Sequence, residues 1–535
     1  MCTSVELLLS IKMKLHLLLF RNSFVIIFAI VLLTGCSKNG PVPDDVETAN
    51  AVIIDLNDRK QIIRNFGASD AWVCQFVGQW PDKSRNQVAD WLFSVEDDAN
   101  GKPKGIGLSL WRFNIGAGSA AQNNITDEWR RTEGFLQDNM SYDWSRQAGQ
   151  KWFMRAAKQR GVNEFVGFTN SPPVQLTKNG KAYSSNGEEA NISADNYLPF
   201  SKFLVDVCKQ FDKEGIPFNY LSPFNEPQWD WTGNGQEGTP FKNEEIFEVT
   251  KVLDSLLLAE KSNVKIQVAE AAKLNYLYEK ADKHARGNQI HEFFNPQSPL
   301  FMGNLATVAK IISGHSYFTS APAETLKSVR EKVAESINNS SVPLEFWQTE
   351  YCILGDQEEI QATGKDRSIA PALYVARLIH HDLVVANASA WHWWLAVSAY
   401  DYKDGLVYVE KKESDGLVED TKLLWTLGNY SRFIRPGSQR VSVTGQNINV
   451  NNVNQLMISS YLDAGNEKVI TVLVNNGNSD SSIGIETKGG KVMSWQPYLT
   501  GPNEGEDLKP LAAIDGADNI IVPKKSIVTL VGSLQ

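Results

Sequence analysis

Two stretches, Leu221-Ser222-Pro223-Phe224-Asn225-Glu226-Pro227 and Leu344-Glu345-Phe346-Trp347-Gln348-Thr349-Glu350-Tyr351, decide how this chain folds. Each is a β-prone run that ends on a glutamate, and the interval between them holds several strand–helix units. Working outward, further candidate strands cover Ile62–Ser69, Gly107–Ile115, Phe165–Asn170, Val264–Ala269, Ile311–Tyr317 and Ala388–Trp394; the two opening runs extend to Phe218–Phe224 and Leu344–Thr349. Helical stretches between them include Tyr142–Arg160, Tyr197–Lys213, Glu244–Lys261, Glu324–Asn338 and Pro371–Val385. Their apolar residues fall at three- and four-residue steps, as in Phe203, Val207 and Phe211. Lys273–Asn304 carries extra short helices. Strands alternating with helices predict an α/β fold, a (β/α)8 (TIM) barrel over residues 62–435.

After Arg435-Pro436-Gly437 the texture changes. Val441–Thr444, Gln455–Tyr461, Lys468–Val474, Ile483–Glu486, Lys491–Tyr498 and Ser526–Val531 alternate or run apolar between Gly, Asn and Asp clusters. That pattern predicts a β-sandwich over residues 436–535. Residues 51–61, with Val52–Leu56 as a candidate strand, join the sandwich from the N-terminal side.

The chain has 535 residues, 42% hydrophobic and 21% charged, enough for a large core and more than one domain. A net charge of -10 argues against nucleic acid or an anionic membrane surface as the main partner. The 15 Trp suit either sugar stacking or core packing. Near the N-terminus, Lys14 and Arg21 precede the apolar run Phe24–Leu33, and Leu33-Thr34-Gly35-Cys36 follows. Charge, apolar run and small-residue site mark an export signal over residues 1–36, with Met1 and Met13 both candidate starts. A membrane-spanning anchor is the competing reading, but the run is short for one. Residues 37–50 read as a solvated tether. Cys74, Cys208 and Cys352 show neither disulfide nor zinc spacing. Cys208 belongs on an apolar helix face, and Cys352 is either near Glu350 or a structural thiol.

Two glutamates at the ends of distant barrel strands meet at one mouth. A facing carboxyl pair is the minimum apparatus for cleaving a glycosidic bond with retention, one as acid/base and one as nucleophile, about 5–5.5 Å apart. Glu226 is the candidate acid/base and Glu350 the nucleophile. Asn225 is placed to bond the sugar 2-OH, where contact strengthens in the transition state. Pro227 fixes φ directly after Glu226. Tyr351 either orients Glu350 or packs. This chemistry requires no cofactor and no metal, and its partner is a polysaccharide or oligosaccharide.

Asn225-Glu226-Pro227 and Gln348-Thr349-Glu350 resemble the retaining (β/α)8 glycosidases, and further segments resemble glycoside hydrolase family 30. These are Asn65-Phe66-Gly67-Ala68-Ser69-Asp70, Leu108-Ser109-Leu110-Trp111-Arg112-Phe113-Asn114-Ile115-Gly116, Asn170-Ser171-Pro172-Pro173, Gly314-His315-Ser316-Tyr317 and Trp391-His392-Trp393-Trp394. The resemblance spans nearly all of the chain after the tether and implies the barrel, a sandwich built from both its flanks, and retaining hydrolysis. It implies pocket roles for Arg112, His315 and Tyr317, and turns Trp391 and Trp393 toward the barrel interior. The Arg112–Gly118 stretch looks most like the endo-β-1,6-galactanase group; β-glucosidase, β-1,6-glucanase and xylanase relatives are the alternatives. The Leu33–Cys36 ending resembles the lipobox of bacterial lipoproteins, which implies lipidation at Cys36 and a membrane anchor, periplasmic or at the cell surface. Where many members carry a Trp after the Ser-Pro-Pro turn, this chain has Val174-Gln175-Leu176. The stacking platform is then absent, or supplied by Trp229 or Trp231.

Other positions carry two readings each. Arg112 is a pocket residue or an ion-pair partner within the mouth. His315 and Tyr317 share a strand face. Asp70 binds a sugar hydroxyl or caps a helix. Glu270, ending the fifth strand, is a third carboxylate near the mouth and a candidate substrate contact. Gly105–Gly107 and Gly116–Gly118 lack nucleotide-loop spacing, and His380-His381 and His291-Glu292 lack zinc spacing. A non-enzymatic alternative, a glycan-capturing surface lipoprotein on the same barrel, keeps the aromatics but needs neither glutamate.

Overall fold

In the computed structural model the described residues are 50–535, except 356 and 358. The expected export signal, Cys36 and all of the tether but Asn50 lie outside them. Among the described residues no helix is long and apolar enough to cross a membrane. The chain enters through β1 (Ala51–Ile62) and then builds the barrel from β2 (Asn65–Ser69), β3 (Leu110–Asn114), β4 (Glu164–Phe168), β5 (Tyr220–Ser222), β6 (Lys265–Ala271), β7 (Val308–His315), β8 (Glu345–Glu350) and β9 (Ala388–Trp393). All pairings are parallel, and β2 closes on β9.

Strand alternation explains both the core and the site. Leu110, Val166, Ile311, Trp347 and Ala390 meet as an apolar layer inside the barrel, with Tyr220 against them. Two residues further along several of these strands the same face turns polar: Arg112, Ser313, Thr349 and His392 are all buried. One more step on β7 brings His315 to the mouth. A ladder irregularity between Gly314 and His315 lets His315 pair with Glu350.

The same alternation corrects one expectation. Trp391 and Trp393 do not face the interior. Trp347 already fills that layer and edges onto His392 at 5.9 Å between ring centroids, leaving room on β9 only for Ala390 and His392. Trp391 instead donates its indole N–H to Asp382, on the helix Ile369–Val384, at 2.9 Å. Trp393 donates to the Asp404 carbonyl at 2.8 Å.

After β9 come three short strands, β10 (Val397–Ser398), β11 (Val407–Val409) and β12 (Val418–Asp420), then the helix Lys422–Ser431. The sheet domain follows with β13 (Gln439–Gln446), β14 (Leu456–Asp463), β15 (Lys468–Asn475), β16 (Ser481–Lys488), β17 (Val492–Thr500), β18 (Lys509–Pro510), β19 (Ile514–Asp515), β20 (Ile520–Val522) and β21 (Ser526–Leu534). As expected, β1 joins it, antiparallel to β13 and parallel to β16. Leu456, Ile458, Val469 and Leu473 turn into the sheet's own core with Val52 and Ile54. Met457, Tyr461, Ile470 and Val472 turn the other way, into the barrel's core. Both faces of β14 and β15 are therefore apolar, and barrel and sheet form one compact unit, Thr48–Gln535.

Candidate active site

Glu226 stands just past β5 with φ 45°, and Ala269 and Glu270, closing β6, have φ 82° and 45°. Left-handed backbone is unfavourable for such side chains and concentrates where function demands a fixed direction. The Glu226 N–H donates to the Glu270 carbonyl at 3.0 Å, so the two strand ends hold each other. Trp231 donates its indole N–H to the Glu226 carbonyl at 3.0 Å.

Glu226, Glu270 and Glu350 surround His315. Its Nδ1 lies 2.9 Å from Glu226 Oε1 and 3.8 Å from Glu350 Oε1, and its Nε2 lies 2.9 Å from Glu270 Oε2. Arg112 reaches two of the three, Glu350 Oε2 at 3.2 Å and Glu270 Oε2 at 3.3 Å, and also Ser69 Oγ at 3.0 Å. The Tyr317 hydroxyl donates to Glu350 Oε1 at 3.0 Å, and Thr349 donates to Glu270 at 2.9 Å. Phe168 lies under the Arg112 guanidinium at 4.5 Å. Arg112 is thus both ion-pair partner and part of the pocket.

Burial sets the acid–base character. It lifts Glu226 to about 7; the Glu350 and Glu270 charges add to the rise and contact with His315 opposes it. Burial would also lift Glu270, but Arg112 and His315 outweigh it and hold that carboxyl below its ordinary range. For His315 burial favours the neutral ring, yet Glu350, Glu226 and Glu270 together push it up to about 10. Ligand atoms of Glu226, His315 and Glu350 lie within 4.8 Å of one another, a spacing that also suits a cation. His315 works against one, because the protonated ring has no lone pair to give.

The expected residues divide. Glu226, Glu350, Arg112, His315, Tyr317 and Glu270 come together, Glu270 as a buried anchor for Arg112 and His315. Asn225 lies beside them, its side-chain oxygen buried and without a partner among the described residues. Trp229 is half-buried, its N–H on the Glu226 carbonyl at 3.1 Å. Asp70 stands apart, capping no helix. Its Oδ1 accepts from the Asn114 N–H at 2.8 Å and Gln150 at 3.0 Å, tying the barrel to the helix Ala148–Gln159, and burial pushes it up to about 7. Tyr351 packs, donating to Ser320 at 3.3 Å. Cys352 does lie near the site, 3.7 Å from the Tyr317 hydroxyl. Cys208 is buried on its helix.

Three residues escaped the sequence reading. Both carboxamide atoms of Asn114 and of Asn170 are buried without partners among the described residues, though each residue stood inside a quoted motif. Trp394 occupies the place expected of its neighbours, with its ring 6.2 Å from Phe168 and 5.3 Å from Trp72. One face had to turn inward, Trp391 with Trp393 or His392 with Trp394, and the alternation signal contained both choices.

The sequence matches O-glycosyl hydrolase family 30 over residues 49–408. It is 25% identical over 439 residues to an endo-β-1,6-galactanase of Hypocrea rufa, covering 78% of this chain and 79% of that protein. It is 20% identical over 508 residues to a glucuronoxylanase of Bacillus subtilis, covering 92% and 94%. Among solved structures, a conserved exported protein from Bacteroides fragilis superposes with a TM-score of 0.85 at 34% identity, covering 90% of this chain and 100% of that one. The match extends over the whole barrel and its two glutamates, and the chain belongs to O-glycosyl hydrolase family 30, the glycoside hydrolases of that name.

Proposed function

We propose that this hydrolase cleaves β-1,6-galactan side chains internally and with retention, Glu226 serving as acid/base and Glu350 as nucleophile. The observation that carries the reading is the carboxyl pair, with oxygens within 4.8 Å and Glu226 lifted to about 7. That spacing suits direct attack on the anomeric carbon and leaves no room for the intervening water of an inverting enzyme. Arg112 and Tyr317 hold the Glu350 carboxylate toward the anomeric carbon. Glu226 gives its proton to the glycosidic oxygen as the Glu350–sugar bond forms, then takes one from the water that breaks it. Asn225 serves the sugar 2-OH, and His315 and Glu270 hold the pair in register. Trp229 serves as sugar platform; Asp70, Trp391 and Trp393 support the barrel.

The galactan assignment draws on the similarity to the Hypocrea rufa enzyme and on the Arg112–Gly118 stretch. Xylan is the second reading, favoured by the longer overlap with the glucuronoxylanase. A capture protein would have no use for the Glu226–Glu350 geometry. We assign catalysis to residues 62–435 and a supporting sandwich to 51–61 with 436–535. Residues 1–36 would export the chain and Cys36 would anchor it by lipid, in line with the exported relative. Product analysis on β-1,6-galactan, β-1,6-glucan, β-1,3-galactan and xylan, with Glu350→Gln as control, tests the function. Short β-1,6-galactooligosaccharides from the unmodified protein alone are expected. Cleavage of another glycan would discard galactan, and binding without cleavage would discard the mechanism.

A further inference from the structure

From Ser316 to Ser320 the chain is clamped. The Ser316 hydroxyl donates to Asp382 at 3.2 Å, and Arg330 donates to the Thr319 carbonyl at 2.6 Å. Arg377 donates to the Ser320 carbonyl at 3.0 Å. Ser316, Tyr317, Thr319 and Ser320 are at most 4% exposed, whereas Phe318 in their midst is 48% exposed. Phe318 also has φ 56°, a conformation a bulky aromatic side chain resists. A large apolar ring both exposed and held in an unfavourable backbone state is costly twice over. Neither cost is explained by packing of the fold.

Its surroundings supply the reason. Tyr317, one residue before, donates to Glu350. The Phe318 ring stands edge-to-face with Trp229, centroids 6.0 Å apart and planes at 82°, and the Trp229 backbone N–H donates to the carbonyl of Glu226, three residues earlier. Lys273 Nζ lies 5.1 Å from the Trp229 ring and 5.4 Å from the Phe318 ring, bracing both. The corner therefore adjoins the acid, where the departing sugar must leave.

Resting on the hydrolase reading above, we propose that Phe318 and Trp229 form the subsite for the leaving-group sugar, a neutral pyranose whose C–H faces pack into the right-angled corner. The sequence reading offered Trp229 or Trp231 as the platform and did not include Phe318; Phe318 is the specificity-determining partner. Retaining chemistry gives the corner a second use, since the sugar that departs and an incoming acceptor sugar occupy the same place before water or acceptor attacks the glycosyl-enzyme.

The test compares β-1,6-galactotetraose with β-galactobiosyl fluoride, whose leaving group is too small to touch the corner; a matching pair replaces them if the panel selects another glycan. Phe318→Gly removes the ring and also suits the left-handed backbone. We expect the ratio of kcat/KM on tetraose to that on fluoride to fall about tenfold, with less transfer to added acceptor and a Tm no lower than before. Phe318→Tyr should keep the ratio. An unchanged ratio in Phe318→Gly, equal losses on both substrates with a lowered Tm, or equal losses in the Tyr variant would overturn the subsite. Absence of turnover by the unmodified protein on both substrates would instead refute the hydrolase reading, and the subsite with it.

Discussion

Replacing Glu226 with Gln should stabilise the protein, and increasingly so as pH rises. Glu226 is 6% exposed, and burial is the largest cause that lifts it from 4.5 to about 7. The folded state therefore holds this proton more tightly than the unfolded chain. The corresponding stability is complete below 4.5 and is lost as pH rises through 7. The gap between the two values corresponds to about 3 kcal/mol. Gln keeps an acceptor for His315 but has no proton to lose, so the variant escapes the loss. A folded unit of this size unfolds with an entropy near 1 kcal/mol per degree, as an order-of-magnitude figure, so its Tm advantage should grow by about 3 °C between pH 4.5 and pH 8. Thermal melts followed by circular dichroism at stepped pH measure this directly. The unmodified enzyme's kcat/KM should fall above pH about 7, because that ratio reports the free enzyme's acid. A Tm gap independent of pH, or one that narrows as pH rises, would refute the reasoning.

Other substitutions probe the rest of the cluster. Tyr317→Phe removes the hydroxyl donor to Glu350 and should lower kcat about a hundredfold while changing Tm little, read by steady-state kinetics with parallel melts. Arg112→Lys cannot reach Glu350 and Glu270 together; it should cost about 3 kcal/mol in denaturant unfolding and most of the activity, since one buried carboxylate loses its partner. Trp391→Phe removes the donor to Asp382 and should cost about 1–2 kcal/mol without altering KM. A raised KM there would restore Trp391 to the sugar site.

The barrel was legible because short β-prone runs alternate with helical stretches along the chain, and all eight strands lie in the places expected of them. The helix Tyr197–Lys213 falls on its expected bounds because its apolar face is continuous from Phe200 through Phe211. Two longer helices were not foreseen. Asp82–Phe93 buries only Val88, Ala89, Leu92 and Phe93, which leaves little periodicity to read. Lys422–Ser431 lies between barrel and sheet and is buried on nearly every side, so it has no polar face to mark it. Which polar side chains converge at the mouth was legible in the strand ends. The side of β9 that faces inward was not, because it depends on the volume Trp347 has already taken.

The division of labour proposed for the two glutamates follows from a contact that no motif records. Ionised, the three carboxyls around His315 carry one more charge than Arg112 and the imidazolium can balance. In a buried cluster one proton restores neutrality, and the carboxyl with the poorest hold on positive charge takes it. Arg112 touches Glu350 and Glu270 but not Glu226, which shares only the imidazole. The proton therefore settles on Glu226, the residue proposed as the acid. In the proposed glycosyl-enzyme Glu350 is esterified and uncharged, so passing the Glu226 proton to the leaving sugar keeps the cluster neutral. Opening of the glycosyl-enzyme needs Glu226 as base, which it has become because its proton left with the departing sugar. Arg112, by pairing with Glu350 and Glu270, leaves Glu226 as the carboxyl that holds the proton.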